Sequence, residues 1–208
     1  MNNLEKIFGE CKNFEQYTKG YFAYLGKLLN ELDLNKIGFF VAELEDAYRH
    51  ENTVFIAGNG GSAATASHMA NDLGVDVFKK SKCGSPFKVL ALTDNNSVMT
   101  AIANDDGYEN LFVNQLKIHY RPGDKLLVIS ASGNSPNLVE AVKWVKSRGG
   151  KTLGFTGFDG GKLKELCDLT VHVSSAKGEY GPVEDVHLIL DHLVATWLQY
   201  RMKDVKEI

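Results

Sequence analysis

The stretch Thr53-Val-Phe-Ile-Ala-Gly-Asn-Gly-Gly-Ser62 passes from a run of β-branched and aromatic residues directly into glycines, then into a helical pattern. The apolar run over 53–57 is short and unbroken, which predicts a strand buried on both faces. The glycines at 58, 60 and 61 predict a tight turn, and the periodicity from Ser62 to about Val75 predicts a helix. A strand that feeds a helix through a Gly-rich turn is the building unit of a parallel sheet.

The same alternation continues toward the C-terminus. Residues 88–92 and 125–129 read as further strands, and 135–147 as a helix. A strand over 152–156, a short helix near 161–166 and a strand over 169–173 follow. One long apolar-striped helix then runs from about Pro182 to Lys203, with the proline in its first turn. The expected fold class is α/β, a doubly wound five-stranded parallel sheet whose ligands bind at the carboxyl ends of the strands. Ahead of it, residues 1–50 read as two amphipathic helices. Phe14, Tyr17, Tyr21, Tyr24, Leu25, Leu28 and Leu29 stripe the first, and Ile37, Phe40, Val41, Leu44 and Tyr48 the second, which opens at Asp33 or Asn35. No Gly/Pro-rich linker separates this arm from residues 51–208, so 1–208 reads as a single domain. The arm's aromatics suit core packing and packing against another subunit equally well.

Composition narrows the function classes. The chain is 44% hydrophobic and 24% charged, as ordinary globular proteins are. A formal net charge of −3 argues against a nucleic-acid footprint. The densest basic cluster, Lys79, Lys80 and Lys82, reads as a solvated loop. Cys11, Cys83 and Cys167 form neither a zinc pair nor an even disulfide framework. The N-terminus lacks the pattern of a signal peptide, and no apolar run approaches the roughly 20 residues that a membrane helix needs. The expectation is a reduced, soluble, cytoplasmic protein with no nucleic-acid or membrane partner.

Four features carry chemistry. In the first, Gly58-Asn59-Gly60-Gly61-Ser62 lies where a strand meets a helix, so its backbone can approach a ligand while the helix amides favour an anion. No Gly-Lys-Ser/Thr follows, so it is not a P-loop. Ser62 reads as a hydroxyl donor or as a helix cap. The second feature, Ser130-Ala131-Ser132-Gly133-Asn134-Ser135-Pro136-Asn137, also follows a strand directly. It reads as a phosphate cradle of hydroxyls and amides or as a capping turn. Two such loops on one sheet favour a phosphorylated small molecule. Third, His68 and Asp72 stand at i and i+4 on one helix face, which suits a shared metal ion or a histidine oriented by a carboxylate. Fourth, the segment from Glu184 to His192 sets acidic groups and two histidines among core-like residues. His192 is turned about 80° from Glu184 and lies about 12 Å further along the axis, so one straight helix cannot aim both at a single ion. If both serve a site, they serve different sites, or different subunits supply them.

With these pieces in order, the chain resembles the sugar isomerase (SIS) domain family, and within it the phosphoheptose isomerases. The resemblance rests on Gly58 to Ser62, His68, Ala103-Asn104-Asp105, Ile129 to Ser135, Thr156-Gly157 with Gly160-Gly161, and Glu184 to His192. It implies a SIS/flavodoxin-like three-layer sandwich and zinc-dependent homotetramers with sites between subunits. It also implies isomerisation of sedoheptulose 7-phosphate to D-glycero-D-manno-heptose 7-phosphate. Carried over by position, Asn59, Gly60, Gly61, Ser62, Asp105, Ser130, Ala131, Ser132 and Ser135 would bind the sugar phosphate. His68, Asp72, Glu184 and His192 would hold the metal, with His192 and either Asp72 or Glu184 as the acid–base pair. The chain departs from the family pattern at Asp72 (usually Glu), Glu184 (usually Gln), Ala131 (commonly Thr) and Gly181-Pro182. A non-catalytic sugar-phosphate sensor or adaptor, or an isomerase of another sugar phosphate, stands as the alternative.

Overall fold

The structure, a computed structural model, describes residues 2–204. Met1 and residues 205–208, which the single-domain reading included, lie outside the described residues. The N-terminal segment forms three helices where two were expected: α1 (Asn3–Glu10), α2 (Phe14–Asn30) and α3 (Leu34–Arg49). The additional helix has a capping box, in which Asn2 accepts from the Glu5 amide at 2.8 Å and Glu5 from the Asn2 amide at 2.9 Å. Asp33, rather than Asn35, caps α3.

The sheet contains β1 (Val54–Gly58), β2 (Val89–Ala91), β3 (Lys125–Ser130), β4 (Lys151–Phe158) and β5 (Leu169–Ser174). Its order is β2-β1-β3-β4-β5, with every pair parallel. Burial on both faces explains why the strands read as continuous apolar runs rather than alternating ones. Odd and even positions feed separate cores. Val54, Ile56, Leu127, Ile129, Leu153 and Phe155 face one core. Phe55, Ala57, Leu126 and Val128 face the other.

The first core is covered by α2, α3, α4 (Gly61–Asn71), a π-helical turn over Asp72–Asp76, α5 (Val77–Ser81) and the long α10 (Tyr180–Arg201). The second is covered by α7 (Leu111–His119), α8 (Pro136–Lys146) and α9 (Gly161–Leu166), with α6 (Asn96–Asp105) at its margin. The sequence reading assigned neither α6 nor α7. The helix expected over 62–75 in fact gives way to the π turn at Asp72. There the Val77 amide donates to the Asp72 carbonyl, an i→i+5 bond that inserts one residue and rotates the helix downstream.

Candidate active site

In the order β2-β1-β3-β4-β5 the chain reverses direction between β1 and β3, which is where a doubly wound sheet opens a crevice at its carboxyl end. The two Ser/Gly-rich loops leave the sheet at this point. Asn59 from the first and Asn137 from the start of α8 bond to each other through both amide groups, at 3.0 and 2.9 Å. The Tyr108 hydroxyl donates to the same Asn59 oxygen at 2.8 Å, which draws in the segment just after Asp105. Asp105 is exposed at the end of α6 and accepts from Asn104 at 2.7 Å. The sequence reading passed over Tyr108 and did not single out Asn137, because neither residue type signals a site without its partner.

The helices that leave these loops start without side-chain caps. Gly60 takes the N-cap position of α4, so the capping alternative for Ser62 does not hold; Ser62 is buried within the first turn. Ser135 caps α8 by position, but its hydroxyl makes no capping bond, and Pro136 occupies the first turn. Uncapped N-terminal amides at two helices favour an anion between them. Within the second loop, the Ser130 hydroxyl accepts from the Gly133 amide at 3.1 Å and the Ser132 hydroxyl from the Asn134 amide at 3.3 Å. Gly133 adopts φ +64° and its missing side chain leaves room for the Gly160 carbonyl, which a Cβ would approach to 1.9 Å. Only glycine meets both demands.

The second cluster lies on the opposing faces of α4 and α10. His68 Nε2 is 3.0 Å from His192 Nε2 and 3.5 Å from an Asp72 oxygen. One donor atom from each of His68, Asp72, Asp191 and His192 lies within 4.8 Å of all the others. Asp191, which the sequence reading did not choose, is fully buried, and neither carboxylate oxygen has a hydrogen-bond partner. Burial, followed by the nearby Asp72 carboxylate, pushes its pKa up to about 8. The donor set of two imidazoles and two carboxylates, with orphaned buried oxygens among them, fits a divalent cation.

Glu184 lies outside this group. Its carboxylate packs against the first turn of α4, where a Cβ on Gly61 would come within 2.3 Å of Glu184 Oε2. Burial, and then Asp185, raise its pKa. The structure therefore brings His68, Asp72 and His192 together and stations Glu184 beside the first loop, in line with the helix geometry that separates Glu184 from His192.

The SIS domain family matches residues 16–157. The chain belongs to the SIS domain family. It is 42% identical over 147 residues to the phosphoheptose isomerase of Burkholderia pseudomallei, covering 71% of this chain and 72% of that one. It is 36% identical over 188 residues to phosphoheptose isomerase 2 of Campylobacter jejuni, covering 88% and 91%. Among solved structures, the phosphoheptose isomerase of Neisseria gonorrhoeae superposes with a TM-score of 0.79 at 27% identity, over 90% of this chain and 100% of that one. The fold is thus the SIS three-layer sandwich, with the two loops and the His/Asp cluster opening from it.

Proposed function

We propose that this SIS-domain chain is an aldose–ketose isomerase that converts sedoheptulose 7-phosphate to D-glycero-D-manno-heptose 7-phosphate. The reading rests chiefly on the convergence of two uncapped, serine-bearing helix starts at the switch point, clasped by Asn59 and Asn137. The phosphoheptose isomerases similar to it support the same reaction. The phosphate would sit among the hydroxyls of Ser62, Ser130, Ser132 and Ser135 and the backbone of Gly60, Gly61 and Ala131, lined by Asn59. Held there, it fixes the register of the sugar chain. His68 lies six positions after Ser62 on α4, an axial rise of about 9 Å. A sugar anchored by its terminal phosphate would thus extend toward the His/Asp cluster, and Asp105 would accept from its hydroxyls on the family pattern.

Moving the carbonyl between C2 and C1 requires a base to take a proton from the carbon beside it and return it to the neighbouring carbon through an enediol. His192 would serve as one acid–base group and Asp72 or Glu184 as the other. Burial, and then Asp185, raise the pKa of Glu184, the direction that favours proton exchange by a carboxyl. His68, Asp72 and His192 would hold a divalent cation, zinc on the family pattern. Such an ion would supply Lewis-acid stabilisation of the charge that develops on the carbonyl oxygen.

The assembly read here is a homotetramer with sites between subunits. Phe14, Phe22 and Phe39 in the N-terminal helices, and Leu193, Trp197 and Tyr200 on α10, are exposed large apolar residues that suit subunit contacts. The compartment read here is the cytoplasm, which the free thiols of Cys11, Cys83 and Cys167 suit. No helix among the described residues is long and apolar enough to cross a membrane.

Proton NMR of the protein with sedoheptulose 7-phosphate in D2O tests the reading. A new aldose anomeric signal, lost on chelation and restored by zinc, is the expected result. Absence of conversion by zinc-loaded protein overturns the substrate assignment.

A further inference from the structure

β2 is an outer strand of the sheet, on the far side of β1 from the crevice. The Val54 amide donates to the Lys88 carbonyl at 2.8 Å, and the Leu92 amide to the Ile56 carbonyl at 2.9 Å. In that register residues 88, 90 and 92 turn their peptide groups toward β1, so those of Val89 and Ala91 turn to the open edge. There the Val89 carbonyl, the Ala91 amide and the Ala91 carbonyl follow one another, a donor between two acceptors. Among the described residues no loop backbone bonds to any of them. Ala91 is only 5% exposed, an unusual setting for an unpaired backbone N–H. It lines a cavity of about 460 Å3 walled by Leu90, Val98 and Ile118, with Asp94 and Gln115 among its polar groups. Gln115 is as buried as Ala91. Its amide nitrogen donates to the Leu92 and Leu111 carbonyls at 3.0 and 3.1 Å, which fixes the side chain's orientation and leaves its oxygen unpartnered. Asp94 is exposed at the rim, where Ser67 and Thr93 donate to one carboxylate oxygen and the other accepts no bond.

We propose that this cavity is a second ligand site, one that takes an adenine nucleoside. Its volume falls within the roughly 300–1,000 Å3 of small-molecule pockets. The three residues of β2 offer too short an edge for an added peptide strand, which binds through a ladder of main-chain bonds. An edge that presents acceptor, donor, acceptor selects the heterocycle that meets it. Adenine sets its 6-amino donor beside the N1 acceptor, which matches the Val89 carbonyl and the Ala91 amide, and nothing on C2 opposes the Ala91 carbonyl. Guanine sets O6 against the Val89 carbonyl and N1–H against the Ala91 amide, like facing like. The free Gln115 oxygen is an acceptor for the second amino hydrogen. Leu90, Val98 and Ile118 supply apolar surface for the ring, which gives the exposed Leu90 and Ile118 side chains a partner. The free Asp94 oxygen accepts from the ribose hydroxyls, as carboxylates at strand ends do in nucleoside sites, and its charge disfavours a phosphate there. This inference rests on neither the cation nor the proposed reaction.

The test titrates adenosine, which carries no phosphate for the crevice, into wild type, Ile118→Asp and Asp94→Ala, by calorimetry and by amide TROSY spectra. Wild type should bind adenosine saturably and about 10-fold or more tightly than guanosine, because the wrong base leaves edge groups unpaired. Ile118 is 61% exposed, so Ile118→Asp should keep the wild-type thermal midpoint while binding adenosine about 10-fold more weakly. Asp94→Ala should lose a similar factor with the ribose contact. The Ala91 amide should shift on binding, while those of residues 59–62 and 130–135 should not. Absence of adenosine binding to wild type overturns the proposal, as do equal affinities for adenosine and guanosine or unchanged affinity in both variants. Shifts confined to the crevice loops would place the nucleoside there and overturn it too. So would a crystal structure, grown with adenosine, in which a strand of a second copy pairs along β2 instead.

Discussion

Asn59 and Asn137 form a reciprocal amide pair, with each side-chain NH2 donating to the other's carbonyl at 3.0 and 2.9 Å. The two residues are far apart in sequence and close the gap between the loops that leave β1 and β3. Asn137 is almost fully buried, and its carbonyl oxygen also accepts from the Leu138 amide at 2.9 Å. A buried amide paired in this way holds one geometry firmly, because each alternative leaves a polar group unpaired. The pair thus fixes the spacing of the two helix N-termini between which the anion would sit.

Replacing Asn137 with Ala should therefore act on binding and stability together. The substitution leaves the Asn59 NH2 without its partner and the Asn59 oxygen with the Tyr108 hydroxyl alone, at a cost of about 1–3 kcal/mol in unfolding free energy. With the loops free to part, KM for the sugar phosphate should rise while kcat changes less. Steady-state kinetics alongside urea unfolding checks both effects. A stability loss with unchanged KM would show that the pair supports the fold and not the cradle.

Ser135 provides a cleaner probe of the anion itself. It occupies the N-cap position of α8, yet its hydroxyl makes no capping bond, so Ser135→Ala should leave stability nearly unchanged. A hydroxyl that donates to a phosphate oxygen is worth about 1.5–3 kcal/mol, which corresponds to a KM roughly 10- to 100-fold higher. Ser132→Ala should act in the same direction, with a small structural cost because its hydroxyl also accepts from the Asn134 amide. Inorganic phosphate should inhibit wild type more strongly than either variant, and equal inhibition would argue against the cradle.

The loops and strands were legible because their signals are local. Buried parallel strands read as apolar runs, and glycine and serine at strand ends mark the turns. The elements missed lack that signature. In α6, Asn96, Ser97, Thr100 and Asn104 blur the apolar stripe, and no residue of that helix is buried. The short α7 follows a single turn of 3-10 helix, with little room for a periodic pattern to declare itself. The π turn at Asp72 has no sequence mark; it lies where α4 passes into α5 against α10. Asp191 was passed over for the same reason. On a helical wheel it shares a stripe with His187, and only the approach of α4 reveals that it faces His68 and Asp72.

His187 should make stability fall in acid. It is fully buried between α10 and the sheet, its ring against Phe155, with Nε2 3.4 Å from the Thr156 carbonyl and Nδ1 unpartnered. Burial pushes its pKa down to about 4; the Thr156 carbonyl offsets this in part, and His172 adds to it. The folded state keeps the ring neutral while the unfolded chain protonates it below about pH 6.5, so between these values the unfolded state binds more protons. The contribution is complete above pH 6.5 and declines as pH falls toward 4, by about 3 kcal/mol in all. Urea unfolding at pH 7 and pH 4.5 should show this loss in wild type and a smaller loss in His187→Phe. Parallel pH profiles would place the acid sensitivity elsewhere.

Glu179 should prove to be the tie between the N-terminal helices and the site-bearing α10. It stands at the N-cap of α10, fully buried, and accepts from the Asn3 amide and the Tyr24 hydroxyl, each at 2.5 Å, and from the Ala176 amide at 3.1 Å. Burial and this carboxylate together push the Tyr24 phenol well above its usual range. Glu179→Ala leaves several donors without an acceptor and should cost about 3 kcal/mol, whereas Tyr24→Phe removes one donor and should cost about 1 kcal/mol. Hydrogen exchange distinguishes a local from a global effect. If the tie holds α1 and α2 to α10, Glu179→Ala should lose protection first in α1 while β1 and β3 remain protected. A uniform loss across the sheet would mean that Glu179 supports the whole fold, and the N-terminal helices would then be part of the core rather than an arm laid against it.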